Sequence, residues 1–125
     1  MENTETIVKN YVSAYNSFDV NGMMADMGES IKFENISDGK VNMTLNGLDE
    51  FKAQAEQGKN LFSSRKQTIK GFTDTNEQTE IEIAYHAVLA IDLPNGMKKG
   101  DELNLSGRSI FKFSGDKIVE ITDIS

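Results

Sequence analysis

Ile81-Glu82-Ile83-Ala84-Tyr85-His86-Ala87-Val88-Leu89-Ala90-Ile91 decides the fold of this chain. Its bulky apolar residues fall on Ile81, Ile83, Tyr85, Leu89 and Ile91, with Ala87 keeping the same phase. That period of two belongs to a strand with one buried face. Downstream, Pro94-Asn95-Gly96 reads as a turn, followed by a strand from Leu103 to Phe113. Ser114-Gly115-Asp116 then leads into a last strand, Lys117 to Ile124. Upstream, Arg65 to Thr73 is a strand, joined to the central one by a turn at Asp74-Thr75-Asn76.

The first half of the chain changes period. Ile7, Val8, Tyr11, Val12, Tyr15 and Phe18 follow helical spacing on one face, with Asn3 or Thr4 as cap and Glu5 at the positive end of the dipole. Asp19 reads as the cap of a short second helix carrying Met23, Met24 and Met27 and stopping at Gly28. Ile31-Lys32-Phe33-Glu34-Asn35-Ile36 alternates as a strand, and Asp38-Gly39 turns it into Val41 to Leu45. Leu48, Phe51, Ala55 and Phe62 mark a third helix ending near Gly58. The order is ααββαββββ. Long hairpin-linked strands imply a curved antiparallel sheet whose apolar face the helices cover, an α+β fold.

The 125 residues suit one domain, and no repeat, low-complexity tract or linker divides positions 1–125. Lys plus Arg is 13 and Asp plus Glu is 20, a net charge of −7 with the one histidine neutral. Nucleic acid and anionic lipid are poor partners for that balance, since both are bound by clustered cations. The absence of cysteine excludes disulfides, thiolate nucleophiles and cysteine-held metals, and a single histidine excludes HExxH-type sites. No metal and no cofactor is expected. Met1-Glu2-Asn3-Thr4-Glu5 is acidic where a secretory signal is basic and then apolar, so a cytoplasmic location is expected. The most apolar stretch, Ala84 to Leu93, is interrupted by polar residues and is too short to span a bilayer.

Tyr11-Val12-Ser13-Ala14-Tyr15-Asn16-Ser17-Phe18-Asp19 at the start and Gly115-Asp116-Lys117-Ile118-Val119-Glu120 at the end, set in this element order, resemble the nuclear transport factor 2-like superfamily. The closest resemblance is to its SnoaL-like group, and it runs over essentially the whole chain. It implies a cystatin-like cone, in which a bent antiparallel sheet wraps the N-terminal helix around a pocket, and often a homodimer through the outer sheet face. The superfamily includes isomerases, dehydratases, polyketide cyclases, hydrolases and modules that only bind, so the fold leaves the activity open.

The resemblance also marks positions. Tyr11, eight residues before Asp19, falls where ketosteroid isomerases carry an oxyanion tyrosine. Their base position, sixteen residues after Asp19, is Asn35, and their second oxyanion acid is matched by Ser109. An amide cannot accept the proton and a serine is a weaker donor, which argues against ketosteroid isomerase activity. The SnoaL-like cyclases place a catalytic aspartate on the last strand, six residues after its opening Lys or Arg; here Lys117 leads to Asp123. In an apolar pocket such a carboxyl has a raised pKa and can shuttle protons.

The expected site is therefore Asp123 as acid/base and Tyr11 as hydrogen-bond donor, with Tyr15, Asn35, Tyr85 and Ser109 as further polar fittings. Phe33, Ile81, Ile83 and Phe111 are the expected apolar wall. The ligand class is a small organic molecule, and the reaction class is cofactor-free proton transfer in isomerisation, cyclisation or dehydration. Each residue also has a plainer reading: Tyr11 and Tyr15 as core tyrosines, Asp123 as a solvated carboxylate near the C-terminus, the methionines as gap fillers. Strand parity turns His86 outward with Glu82, Ala84, Val88 and Ala90, and Arg108 likewise if Ser109 faces inward. Ala84, Val88, Ala90 and Ile110 make that outer face apolar enough for a twofold homodimer. The rival from another class is a non-catalytic homodimeric binding or interaction module, favoured by an amide at Asn35 and by the lack of an inward His–carboxylate pair. An epoxide hydrolase, which in that branch needs an inward arginine between two aspartates, fits less well because Arg108 counts outward.

Overall fold

A computed structural model describes residues 4–75 and 78–125. Helix α1 (Thr4–Asn16) buries Ile7, Val8, Tyr11 and Val12 of the face that the helical spacing marks, with Ala14 beside it and Tyr15 half-buried. Thr4 opens the helix and its hydroxyl donates to Asp74, while Asn3, the other candidate cap, lies outside the described residues. The chain leaves α1 through Ser17, Phe18 and Asp19, whose N–H groups close the last turn onto carbonyls of Ser13, Ala14 and Tyr15. Phe18 sits in this exit with a left-handed φ of 60°, so it lies beyond the helix and not on its face.

Asp19 caps α2 (Val20–Met24), accepting from the Gly22 N–H at 2.9 Å. The helix stops earlier than its methionine spacing predicts. Met27 and Gly28 open strand β1 (Met27–Ser37), because the last strand claims this backbone: Met27 pairs with Ile118, whose N–H donates to the Asp26 carbonyl at 2.7 Å. The β1–β2 hairpin turns at Asp38 and Gly39, both with positive φ (53° and 77°), the type I′ geometry that matches strand twist. Strand β2 (Lys40–Asn46) is followed by helix α3 (Leu48–Gly58) and a 3-10 turn at Lys59–Leu61. Phe62, expected on that helix, begins strand β3 (Phe62–Asp74) instead.

Strands β4 (Gln78–Leu89), β5 (Glu102–Ser114) and β6 (Lys117–Ile124) complete a six-stranded curved sheet in the order β2-β1-β6-β5-β4-β3. Ile91 falls beyond β4 in an exposed connection, and Asn76 of the expected β3–β4 turn lies outside the described residues. The observed order ααββαββββ is the predicted one. One pair departs from antiparallel: β6 runs parallel to β1 while antiparallel to β5. The hairpins fix their own register, whereas β1 and β6 are joined by nearly the whole chain, which leaves their relative direction free.

The concave face packs Ile81, Ile83, Phe111, Ile118 and Ile121 against Ile7, Val8, Tyr11 and Val12 of α1, with Met23, Met27, Ile31 and Phe51 closing the core. Cross-strand register sets one row on that face: Asn35 on β1, Asp123 on β6, Ser109 on β5 and Ile81 on β4. The neighbouring row is Phe33, Ile121, Phe111 and Thr79. Asn35, Asp123 and Ser109 thus lie side by side in one row, next to a row that is apolar except for Thr79 at its β4 end. On the convex side His86 meets Glu102 at 2.7 Å and Arg108 meets Glu80 at 3.7 Å, as strand parity predicts. Among the described residues no helix is long and apolar enough to cross a membrane.

Candidate functional site

Between α1, α3 and the concave face lies a cavity of about 480 Å³, within the range that holds small organic ligands. Tyr11, Tyr15, Phe33, Asn35, Ile83, Tyr85, Ser109 and Asp123 line it, together with Met23, Phe51, Leu61 and Phe62. Ile81 and Phe111, expected in the wall, do not reach it. Both are buried in the core, where the Phe111 ring meets Tyr11 edge-on with centroids 5.5 Å apart. The reason is depth: α1 packs directly onto that part of the sheet through Ile7, Val8 and Tyr11.

Asp123 is the central feature. Ser109 on the adjacent strand donates its hydroxyl to Asp123 Oδ1 at 2.5 Å, a short charge-assisted bond. Burial disfavours the ionised carboxyl and pushes its pKa from 3.8 up to about 6, against the opposing pull of the Ser109 bond. Asp123 keeps some open surface, and it lines the cavity. Tyr11 lies near enough for the Asp123 charge to act on its phenol. Burial first, and that negative charge second, hold the Tyr11 hydroxyl in its protonated, donating form; Arg65 pulls the other way. Ser109 thus acts on Asp123 and not as a free oxyanion donor.

Asn35 is engaged elsewhere, its amide donating to Asn42 Oδ1 at 2.8 Å near the rim. Tyr15 donates to the Tyr85 hydroxyl at 2.9 Å, and burial raises the pKa of both phenols. Among the described residues no three His, Cys, Asp or Glu side chains group as a metal site.

Several lining residues carry no mark in the sequence analysis, and Arg65 is the charged, deeply buried one among them. Arg65, at the β3 position that pairs with Ala87, is only 7% exposed. Its Nε–H donates to the Tyr15 carbonyl at 2.9 Å, and its guanidinium carbon sits 3.7 Å from the Tyr15 ring centroid and 4.6 Å from that of Phe18. Asn16 ties the same junction from the other side, accepting from the Gln67 N–H at 2.7 Å and donating to the Gln67 carbonyl at 3.1 Å. The signal was present in the sequence: counting back by twos from Ile69 reaches Gln67 and Arg65. The register shift between Ile69 and Gly71 hides it, because counting from Phe72 gives the opposite parity.

No family model and no curated protein matches the sequence. Solved structures do match. An NTF2-like protein of unknown function from Burkholderia pseudomallei is similar with a TM-score of 0.80 at 17% identity, over 98% of this chain and 90% of that one. The fold is that of the nuclear transport factor 2-like superfamily. Within this NTF2-like fold, a candidate SnoaL-like polyketide cyclase from Jannaschia sp. CCS1 is similar with a TM-score of 0.81 at 9% identity, over 95% of this chain and 82% of that one. An uncharacterised cystatin-fold protein from Novosphingobium aromaticivorans has a TM-score of 0.74 at 15% identity, over 96% of both chains.

Proposed function

We propose that the NTF2-like cavity binds a small, largely apolar organic molecule and moves a proton on it without a cofactor. The observation that carries this reading is the Ser109–Asp123 pair opening, beside Tyr11, on one apolar cavity. A carboxyl titrating near 6 is ionised at neutral pH yet basic enough to take a proton from a carbon acid next to a carbonyl. The C–H electron pair moves into an enolate, whose oxygen accepts from the Tyr11 hydroxyl. Asp123 then returns the proton to the same carbon or to another. Alternatively the enolate carbon attacks a second carbonyl, whose π electrons move onto its oxygen, and Asp123 returns the proton to that alkoxide as the ring closes. Ser109 positions the carboxyl. The description of the Jannaschia protein as a candidate polyketide cyclase supports the last route. The convex face, with Ala84, Val88, Ala90 and Ile110 half-buried, is proposed to pair with a second copy.

The test starts from a thermal-shift screen against cyclic ketones, phenols, steroids and aromatic polyketides. Ketones that bind are then followed by NMR in D2O for loss of the proton next to the carbonyl. Wild-type protein is expected to accelerate the exchange, and Asp123→Asn to abolish it while binding persists. Equal exchange by both proteins overturns the assignment.

A further inference from the structure

Among the described residues Arg65 is a buried cation without a matching anion. It takes part in none of the ion pairs among the described residues. Of its guanidinium donors, Nε–H is used on the Tyr15 carbonyl, and Nη2 is buried with no hydrogen-bond partner among the described residues. Buried charges are normally paired, and a buried donor left unsatisfied is costly. The C-terminal end of α1 and the two rings offset part of this cost. They also lock the guanidinium in place, and Phe18 adopts its strained left-handed backbone where its ring meets it. The positive charge is felt by the phenols of Tyr11, Tyr15 and Tyr85, all of which line the cavity with Arg65.

We propose that Arg65 makes this cavity a site for organic anions: a small, mostly apolar carboxylate, phenolate or enolate whose charged oxygen takes the unused guanidinium N–H groups. The apolar part of the ligand fills the space lined by Phe33, Phe51, Leu61 and Phe62. This inference rests on the reading of the cavity as a ligand site and names the ligand class. The ligand's anionic end lies at the α1–β3 junction, and its remainder extends toward Asp123. With Nε–H taken by the Tyr15 carbonyl and Nη2 enclosed, the guanidinium edge that lines the cavity suits a single charged oxygen of a carboxylate, phenolate or enolate.

The test measures binding of matched pairs that differ in charge and hardly in shape: benzoate with benzamide, and 2-naphthoate with 2-naphthamide. Calorimetric titration of the whole chain at pH 7.5 is expected to give at least about tenfold tighter binding of the anion in a pair, the scale of one charged hydrogen bond. Arg65→Met is expected to erase that preference and Arg65→Lys to keep part of it. A purely structural Arg65 would alter stability and leave the anion-to-amide ratio in place. Ala55→Trp, which fills the cavity from α3, is expected to block the anion; unchanged binding there would put it elsewhere and overturn the proposal. If Arg65→Met does not fold, Arg65→Lys decides: an anion-to-amide ratio unchanged from wild type overturns the role of Arg65, since Arg108 also lines the cavity. Amides binding as well as anions overturns the charge inference and leaves the cavity reading standing. Binding of no member of either pair overturns both.

Discussion

Replacing Asp123 by Asn should stabilise the protein at neutral pH and leave it almost unchanged in acid. In the folded chain the carboxyl holds its proton up to a pKa of about 6, against 3.8 ordinarily, because burial penalises the ionised form. Between those two values folding takes up a proton, so the Asp123 contribution to stability falls as pH rises through this window and is fully lost above about 6. At 1.36 kcal/mol per pH unit the gap amounts to about 3 kcal/mol, an upper bound because water in an open cavity screens part of the penalty. Asn removes the titration, keeps the shape and still offers an oxygen to the Ser109 hydroxyl. For a domain of 125 residues each kcal/mol moves the melting temperature by roughly 4 °C. Melting curves of both proteins from pH 3.5 to 8 should therefore coincide in acid and diverge by up to about 10 °C at pH 7, with the variant higher. Groups common to both proteins cancel in the difference. Parallel curves, or a wild type that gains on the variant as pH rises, would refute the argument that burial controls this carboxyl.

Gly107 of β5 has the Ile124 carbonyl oxygen only 2.6 Å from where a Cβ would stand, so Gly107→Ala must push the end of β6 away. We expect a loss of about 1–3 kcal/mol in denaturant unfolding and weaker ligand binding, since Ile124 and Ser125 line the cavity; wild-type stability would contradict this. Small-angle scattering at micromolar concentration should return a dimer mass, and a charged replacement on the convex face, Val88→Glu, should halve it. A monomer mass for the wild type removes the pairing.

Legibility in the sequence followed the range of the interactions. The alternation from Ile81 to Leu89, the Asp38-Gly39 turn and the Asp19 cap are set by neighbours a few residues away, and the structure has each where the sequence places it. Met27 and Gly28 are different, because a strand partner ninety residues downstream outweighs the helical spacing of the methionines. The concave parity of Tyr85 was readable because β4 and β5 pair without a bulge over that span, whereas Ser109 and Asp123 were marked by the family resemblance and not by period. Arg65 was hidden by the irregularity at Gly71, and its importance depends on meeting the end of α1, a contact between residues fifty apart. The Ser109–Asp123 bond also depends on register, which no periodicity encodes.

The position of β6 has a consequence for how the molecule comes together. Apart from β6, the sheet consists of the β2–β1 ribbon and the β5–β4–β3 ribbon, and among the described residues only β6 is hydrogen-bonded to both. On a ribosome, residues up to Ser114 can make both ribbons, yet the two cannot be zipped together until the final strand emerges. The closing step is non-local and therefore slow compared with either hairpin. It is also the step that lays Asp123 beside Ser109. A chain halted before β6 has neither a continuous sheet nor Asp123, so the proton transfer proposed for that carboxyl would report that assembly has finished.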